Sequence, residues 1–214
     1  TASGTGSLEA SIVNTLSPGD KVIAATAGAF GDRFVDMVEA YGADVKRMDF
    51  EWGGPMDPDA IRKALQADPD IKAVLVTHNE TSTGVTHPVE EIAKVVKGEF
   101  DKLLLVDAVS SLGCIPLPVD AWDCDMVGTA SQKGFMIPPG LSFISVSERA
   151  WEAQKTAKMP RFYFDLSMAK QYLAQGQTPF TPNLSAMYGL SRALDVLLEE
   201  GMENVFGRHA TIAQ

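Results

Sequence analysis

Cysteine is scarce in this sequence, which has only Cys114 and Cys124 among its 214 residues. Two cysteines do not make a disulfide framework, and these two lack the Cys-x-x-Cys spacing of a metal or redox site. We therefore expect free thiols that serve in packing, in a reducing cytoplasm. The three histidines, His78, His87 and His209, also lack a metal-ligand spacing, so we predict no metal site.

Positive charge and long apolar runs are also in short supply. Lys and Arg number 18 against 28 Asp and Glu, which gives a formal net charge of −10. This balance argues against nucleic acid or an anionic membrane as the main partner. No apolar run is long enough to span a membrane, and the start lacks the pattern of a signal peptide.

Short apolar segments rich in β-branched residues alternate with helical patterns. The predicted strands cover residues 21–26, 44–50, 71–78, 102–109, 125–131 and 141–147. The predicted helices cover residues 32–42, 57–67, 88–100, 148–157 and 184–201. Strands that are apolar on both faces are typical of a parallel sheet covered on both sides. The sequence predicts a three-layer α/β fold with a mostly parallel sheet.

Both ends of the chain lack the flanking elements of a complete domain. Residues 1–6 form a Gly-rich turn that leads into a helix near Ser7, with no strand before it. Residues 204–214 have a helical pattern without a stop signal. We expect a further segment before the chain and another after it.

Ligands of such sheets bind beyond the carboxyl ends of the strands, and four polar segments lie where such ends are predicted. The turn Ser3-Gly4-Thr5-Gly6 can hold a phosphate through its backbone and the following helix start, although an ordinary Gly-rich turn has the same composition. The loop 77–84, with the sequence THNETSTG, is polar enough either to cap a helix or to bind a ligand.

The other two segments each carry one charged residue after apolar ones. Asp107 follows four apolar residues, and a carboxylate there serves either as a structural cap or as the partner of a cationic ligand nitrogen. Lys133 is the one charged residue of the stretch GTASQKGFMIPPG, and is either a surface lysine or an amine that does chemistry. A phosphate cradle, a buried Asp and a strand-end Lys are together the parts of a pyridoxal phosphate site.

Four segments carry a resemblance to a known family: SGTGSLEASIVNTLSPGD, HNETSTGV, LLLVDAVSSLG and GTASQKG. They resemble class V aminotransferases of the fold-type I pyridoxal phosphate enzymes, with greatest similarity to serine–glyoxylate and alanine–glyoxylate aminotransferases. The resemblance implies a cofactor-binding large domain over residues 1–183, followed by helices at 184–214 that lead to a small domain. The arginine that binds the substrate carboxylate would come from that small domain.

The resemblance also implies roles for individual residues. Lys133 would carry the cofactor as a Schiff base and move protons at the substrate, and Asp107 would pair with the pyridine nitrogen. The residues implied to hold the phosphate are Ser3, Gly4, Thr5 and Gln132.

Three further residues are implied to act around the ring and at the subunit boundary. Thr81 would hydrogen-bond near the ring hydroxyl, with Asn79 or Ser82 beside it. Phe30 would stack on the ring, unless it is an ordinary core residue. Thr181 would reach the phosphate of a neighbouring subunit in a homodimer, and relatives often have Tyr where this chain has Phe180.

The function implied is transfer of an amino group from serine or alanine to glyoxylate or a similar 2-oxo acid. Alternatives within the class are ureidoglycine–glyoxylate aminotransferase, cysteine desulfurase and kynureninase activities. A further alternative is a fragment without activity, or a cofactor-free binding module.

Overall fold

The computed structural model describes residues 1–213. The strands are β1 (Lys21–Thr26), β2 (Asp44–Asp49), β3 (Ala73–Thr77), β4 (Asn79–Glu80), β5 (Val85–Thr86), β6 (Leu103–Asp107), β7 (Met126–Ala130) and β8 (Ser142–Val146). The helices are α1 (Gly4–Thr15), α2 (Ala29–Ala40), α3 (Pro58–Ala67), α4 (Val89–Ala93, continued by a π-helical turn at Lys94–Glu99), α5 (Glu148–Gln154), α6 (Leu166–Leu173), α7 (Leu184–Glu200) and α8 (Met202–Ile212).

Six strands form one sheet in the order β2-β1-β3-β6-β7-β8. Neighbouring strands are parallel except β7 and β8, which are antiparallel. Strands β4 and β5 form a separate two-stranded antiparallel ribbon within the loop 77–84 and the residues after it. The predicted α/β class with a mostly parallel sheet is confirmed.

The sheet has a core on each face because successive side chains of a strand point to opposite sides. In β3, Val74 and Val76 join the core beneath α3 and α4. Ala73 and Leu75 join the core beneath α1, α2 and α5. This double burial explains why the central strands are apolar on both faces, as the three-layer prediction requires.

The start of α1 differs from the prediction. The helix begins at Gly4, with Ser3 as its N-cap, so the Gly-rich turn is the first turn of the helix and not a loop before Ser7. A Cβ on Gly4 would lie 2.6 Å from Val109 Cγ2, and one on Gly6 would lie 2.7 Å from Ala2 Cβ. The glycines therefore allow this turn to pack tightly, which composition alone does not show.

Two differences concern helices at the end of the chain. The short helix α6 was not predicted, and its start is capped by Asp165 Oδ1, which accepts hydrogen bonds from the N–H groups of Ser167 and Met168. The predicted apolar stripe of α7 comprises Leu184, Met187, Leu190, Leu194 and Leu197. Of these only Leu197 is buried, so most of the stripe is uncovered in this chain.

None of the helices within residues 1–213 combines the length and apolarity needed to cross a lipid bilayer.

Candidate functional site

Asp107 ends β6 at the carboxyl edge of the sheet, and its side chain is buried. Its Oδ1 accepts a 2.8 Å hydrogen bond from the backbone N–H of Val109, and Oδ2 accepts none from the residues that the structure describes. Burial raises the pKa of Asp107 to about 6, and the charge of Glu80 adds to this, while the positive charges of Arg33 and Lys133 lower it. The carboxylate thus has a free oxygen in a desolvated position.

Lys133 lies in the turn that follows β7, the strand next to β6. Its side chain is exposed, and it forms no ion pair within residues 1–213. Because β6 and β7 are parallel neighbours, the turn of Lys133 and the end of β6 at Asp107 lie at the same edge of the sheet. The turn is packed tightly, because a Cβ on the next residue, Gly134, would overlap the carbonyl oxygen of Leu112.

The first turn of α1 meets the same edge through the contact between Gly4 and Val109. The Ser3 hydroxyl makes no capping hydrogen bond, and the first turn contains no acidic residue. The N–H groups of Gly4 and Thr5 donate to no backbone carbonyl among the described residues. A helix start with unpaired N–H groups favours an anion, since the helix dipole is positive there.

Gln132 adds to this group. It precedes Lys133 and is half-buried, and its Oε1 is buried without a hydrogen-bond partner in the described part of the chain. Buried side-chain amides are normally satisfied. This amide therefore has unused capacity to bind a ligand beside the lysine.

Phe30 lies in the first turn of α2, which follows the carboxyl end of β1. The ring is half-buried and the guanidinium carbon of Arg33 lies 4.9 Å from its centroid. The ring belongs to neither of the two cores that flank the sheet. The residue presents an aromatic ring at the sheet edge, with a cation over it.

Thr81 is exposed in the turn between β4 and β5. Asn79 Nδ2 donates a 3.0 Å hydrogen bond to Ser110 Oγ, which ties this ribbon to the loop after Asp107. The Ser82 hydroxyl donates to Glu80 Oε1 at 2.6 Å, so its proton is used within the protein. The loop 77–84 thus both caps a helix, as described below, and reaches the sheet edge.

No contact within the described residues brings Thr181 to Asp107, Lys133 or the start of α1. It is exposed, in a segment without regular structure. The preceding Phe180 stacks on Tyr163, with ring centroids 4.7 Å apart.

Glu80 also lies in this region, and the sequence alone indicated no role for it. It is fully buried, and its carboxylate accepts hydrogen bonds from backbone N–H groups at the start of α2. The signal in the sequence is an acidic residue in a polar loop, together with a glycine before a helix start. The Phe30 N–H that bonds to this acid lies 50 residues earlier in the sequence, so no local pattern connects the two. Within residues 1–213 no cluster of His, Cys, Asp or Glu is arranged to hold a metal ion.

These groups fit pyridoxal phosphate. A buried carboxylate with a free oxygen suits a protonated ring nitrogen, an amine suits an aldehyde, and a helix start without acids suits a phosphate. Together with a mostly parallel sheet between helices, they define the cofactor-binding domain of a fold-type I pyridoxal phosphate enzyme.

The chain belongs to the class-V aminotransferase family, whose model matches residues 1–214. It is 47% identical to the small subunit of the soluble hydrogenase of Synechococcus sp., over 100% of this chain and 56% of that protein. It is 43% identical to the serine–glyoxylate aminotransferase of Methylorubrum extorquens, over 100% of this chain and 55% of that protein.

The crystal structure of alanine–glyoxylate aminotransferase from Nostoc sp. matches the fold with a TM-score of 0.92. The two share 36% identity, over 97% of this chain and 55% of that one. The chain thus spans about half the length of the relatives it matches. Membership of the family implies pyridoxal phosphate as the cofactor.

Proposed function

We propose that this chain is the cofactor-binding part of an aminotransferase that moves an amino group from serine or alanine to glyoxylate or a similar 2-oxo acid. The observation that carries the proposal is the buried Asp107 carboxylate at the carboxyl end of β6, the same sheet edge from which the turn of Lys133 leaves the parallel strand β7. In this proposal residues 1–183 are the large domain, and residues 184–214 lead to a small domain.

When bound, pyridoxal phosphate supplies an electron sink for the bond that breaks at the substrate's α-carbon. Lys133 would hold the cofactor through its amine, which would also take and return the proton at the substrate's α-carbon. Asp107 Oδ2 would hold the ring nitrogen by accepting a hydrogen bond from its N–H. Its desolvated position strengthens that interaction, since no water competes for the oxygen.

The start of α1 holds the phosphate in this proposal. The N–H groups of Gly4 and Thr5 and the hydroxyls of Ser3 and Thr5 are donors of the required kind. The Nε2–H group of Gln132, the residue before the lysine, would add a further donor.

Residues of α2 and of the turn in the β4–β5 ribbon would hold the cofactor ring. Phe30 supplies an aromatic surface for stacking, and stacked aromatic pairs stabilise a complex by about 0.5–1.5 kcal/mol beyond burial. Thr81 supplies a free hydroxyl for the ring oxygen.

We further propose a homodimer in which Thr181 of one subunit reaches the phosphate site of the other. The support is the exposure of Thr181 together with large apolar side chains nearby, such as Leu184 and Tyr188, which a partner surface would cover. Mixing a Lys133→Ala subunit with a Thr181→Val subunit tests this, since only the mixed dimer would regain an intact site.

The cytoplasm is the compartment we propose, because Cys114 and Cys124 are both free thiols. Secreted proteins of this size tend to pair such cysteines.

Glyoxylate is the acceptor we propose because it is named in both the Methylorubrum and the Nostoc relative, which differ in their donor. A panel of serine, alanine and ureidoglycine with glyoxylate identifies the donor of the full-length protein. Persulfide formation from cysteine, or cleavage of kynurenine, would instead support another class V activity.

Absorption spectroscopy tests the central proposal. The full-length protein with added pyridoxal phosphate should gain a visible absorption band that borohydride traps as a stable adduct. Lys133→Ala should fold and lack the band. Lys158→Ala, which changes an exposed lysine within the α5–α6 connection, should keep it. A band that survives Lys133→Ala contradicts the assignment, and a wild type with no band supports the binding-module alternative.

A further inference from the structure

The Glu80 carboxylate is completely buried and accepts four hydrogen bonds. Its Oε2 accepts from the backbone N–H groups of Phe30 and Gly31, at 3.1 and 3.0 Å. Its Oε1 accepts from the N–H and the hydroxyl of Ser82, at 3.0 and 2.6 Å. A buried carboxylate is stable only with such partners.

These bonds complete the capping of α2. The N–H of Ala29 donates to Ser82 Oγ at 3.0 Å, and that of Gly28 donates to Thr26 Oγ1 at 3.5 Å. With the bonds to Glu80, all four N–H groups that this helix leaves without an intrahelical acceptor at its start are satisfied. A Cβ on Gly28 would lie 2.5 Å from Glu80 Cγ, so the glycine makes room for the carboxylate.

One side chain therefore joins two segments that are far apart in the sequence. The first turn of α2 carries Phe30, and the ribbon turn carries Thr81, which lies between the two hydrogen-bonded residues Glu80 and Ser82. In the proposed function these two residues contact the cofactor ring from different directions.

We propose that Glu80 is a positioning residue for the reaction, which sets the Phe30 ring and the Thr81 hydroxyl relative to each other around the pyridoxal ring. The inference rests on the proposed function. A carboxylate suits the position because three of the four facing groups are backbone N–H donors, which cannot accept, and the fourth is the Ser82 hydroxyl. The amide of a glutamine would direct its own N–H atoms at one of them.

The test uses the full-length protein and Glu80→Gln. We expect the dissociation constant of pyridoxal phosphate to rise about tenfold, the equivalent of losing one good hydrogen bond to a charged group. The circular dichroism of the bound cofactor should change as well, since it reports the packing around the ring.

Asp125→Asn is the matched control. Asp125 is also fully buried and accepts from the N–H of Leu104 and the hydroxyl of Ser147, but it precedes β7 at the opposite edge of the sheet. Both variants should unfold at lower temperature, and only Glu80→Gln should alter cofactor affinity and circular dichroism. Equal changes in both would reduce Glu80 to a structural role and overturn the proposal.

A double-mutant cycle shows whether Glu80 acts through the ring contact. Phe30→Leu alone should weaken cofactor binding, and adding Glu80→Gln should weaken it by less than the product of the two single effects. If the double variant instead shows the full product of the two single effects, the two residues act independently and the proposal is overturned. If Glu80→Gln does not fold, Ser82→Ala is the substitute, because it removes one hydrogen bond to the Glu80 carboxylate. Ser82→Ala should then weaken cofactor binding and alter the circular dichroism to a smaller extent. Unchanged affinity and circular dichroism in Ser82→Ala would overturn the proposal.

This experiment distinguishes a failure of the proposed function from a failure of the role assigned to Glu80. A wild type that binds no pyridoxal phosphate overturns the proposed function and this inference with it. A wild type that binds it, beside a Glu80→Gln variant with unchanged affinity and spectrum, overturns the role of Glu80 alone.

Discussion

Gly4 and Val109 are packed so closely that a Cβ on Gly4 would lie 2.6 Å from Val109 Cγ2. The N–H of Val109 also donates a 2.8 Å hydrogen bond to Asp107 Oδ1. A single valine therefore fixes the start of α1 with respect to the buried carboxylate. The distance between the proposed phosphate site and the proposed partner of the ring nitrogen depends on this contact.

Gly4→Ala tests that contact. Alanine normally stabilises a helix by about 0.5–1 kcal/mol relative to glycine, but here overpacking should reverse the sign and destabilise by about 1–3 kcal/mol. Urea denaturation measures the stability, and a titration measures the expected loss of pyridoxal phosphate affinity. Gly207→Ala in α8, where a Cβ meets no atom within 4 Å, is the control and should be neutral or stabilising. Similar behaviour of the two variants would refute the packing argument.

Asp107→Asn should separate stability from cofactor binding. The pKa of Asp107 is raised to about 6 by burial, so between about pH 4 and pH 6 the folded state holds a proton that the unfolded state has lost. Stability therefore falls as pH rises from about 4 to about 6 and is level above that, and the ionised carboxylate costs about 3 kcal/mol at pH 8. In the cofactor-free protein the variant should be more stable than wild type at pH 8, with a smaller difference at pH 4, while pyridoxal phosphate binding is lost. A stability difference that does not change with pH would contradict this cause.

Lys97→Met should be strongly destabilising. Lys97 Nζ lies 2.6 Å from Asp125 Oδ2, and both side chains are buried, at 6% and 0% exposure. Removing one partner leaves an uncompensated buried charge, which costs about 3–5 kcal/mol. Lys94→Met, one turn away, breaks an exposed pair with Glu90 and should cost less than about 1 kcal/mol. Chemical denaturation of the two variants compares them directly, and equal losses would argue against the importance of burial.

Gly134→Ala should disturb the lysine turn. The added Cβ would overlap the Leu112 carbonyl oxygen, which forces the turn that carries Lys133 to move. We expect a smaller fraction of protein trapped with the cofactor by borohydride. Gly98→Ala, in the π-helical turn, adds a Cβ to open space and should trap the cofactor as wild type does. Undiminished trapping in Gly134→Ala would show that the turn adapts.

Local patterns were enough to predict most of the secondary structure. The predicted strand 21–26 matches β1 in full, and Asp57 caps the start of α3 by accepting from the N–H of Asp59, as the sequence indicates. The four polar segments, in their order along the chain, also indicated the class-V aminotransferase family. The match of the family model to residues 1–214 confirms this. Periodicity, caps and turn residues act over a few positions, so the sequence reports them directly.

Contacts between distant segments were decided by the tertiary structure. The start of α1 at Gly4 depends on Val109, and the capping of α2 depends on Glu80. The antiparallel direction of β8 and the uncovered stripe of α7 follow from how whole elements pack. The first two of these contacts join residues that are 105 and 50 positions apart in the sequence. No local pattern reports them, because their energy comes from close packing and buried hydrogen bonds that exist only once the chain has folded.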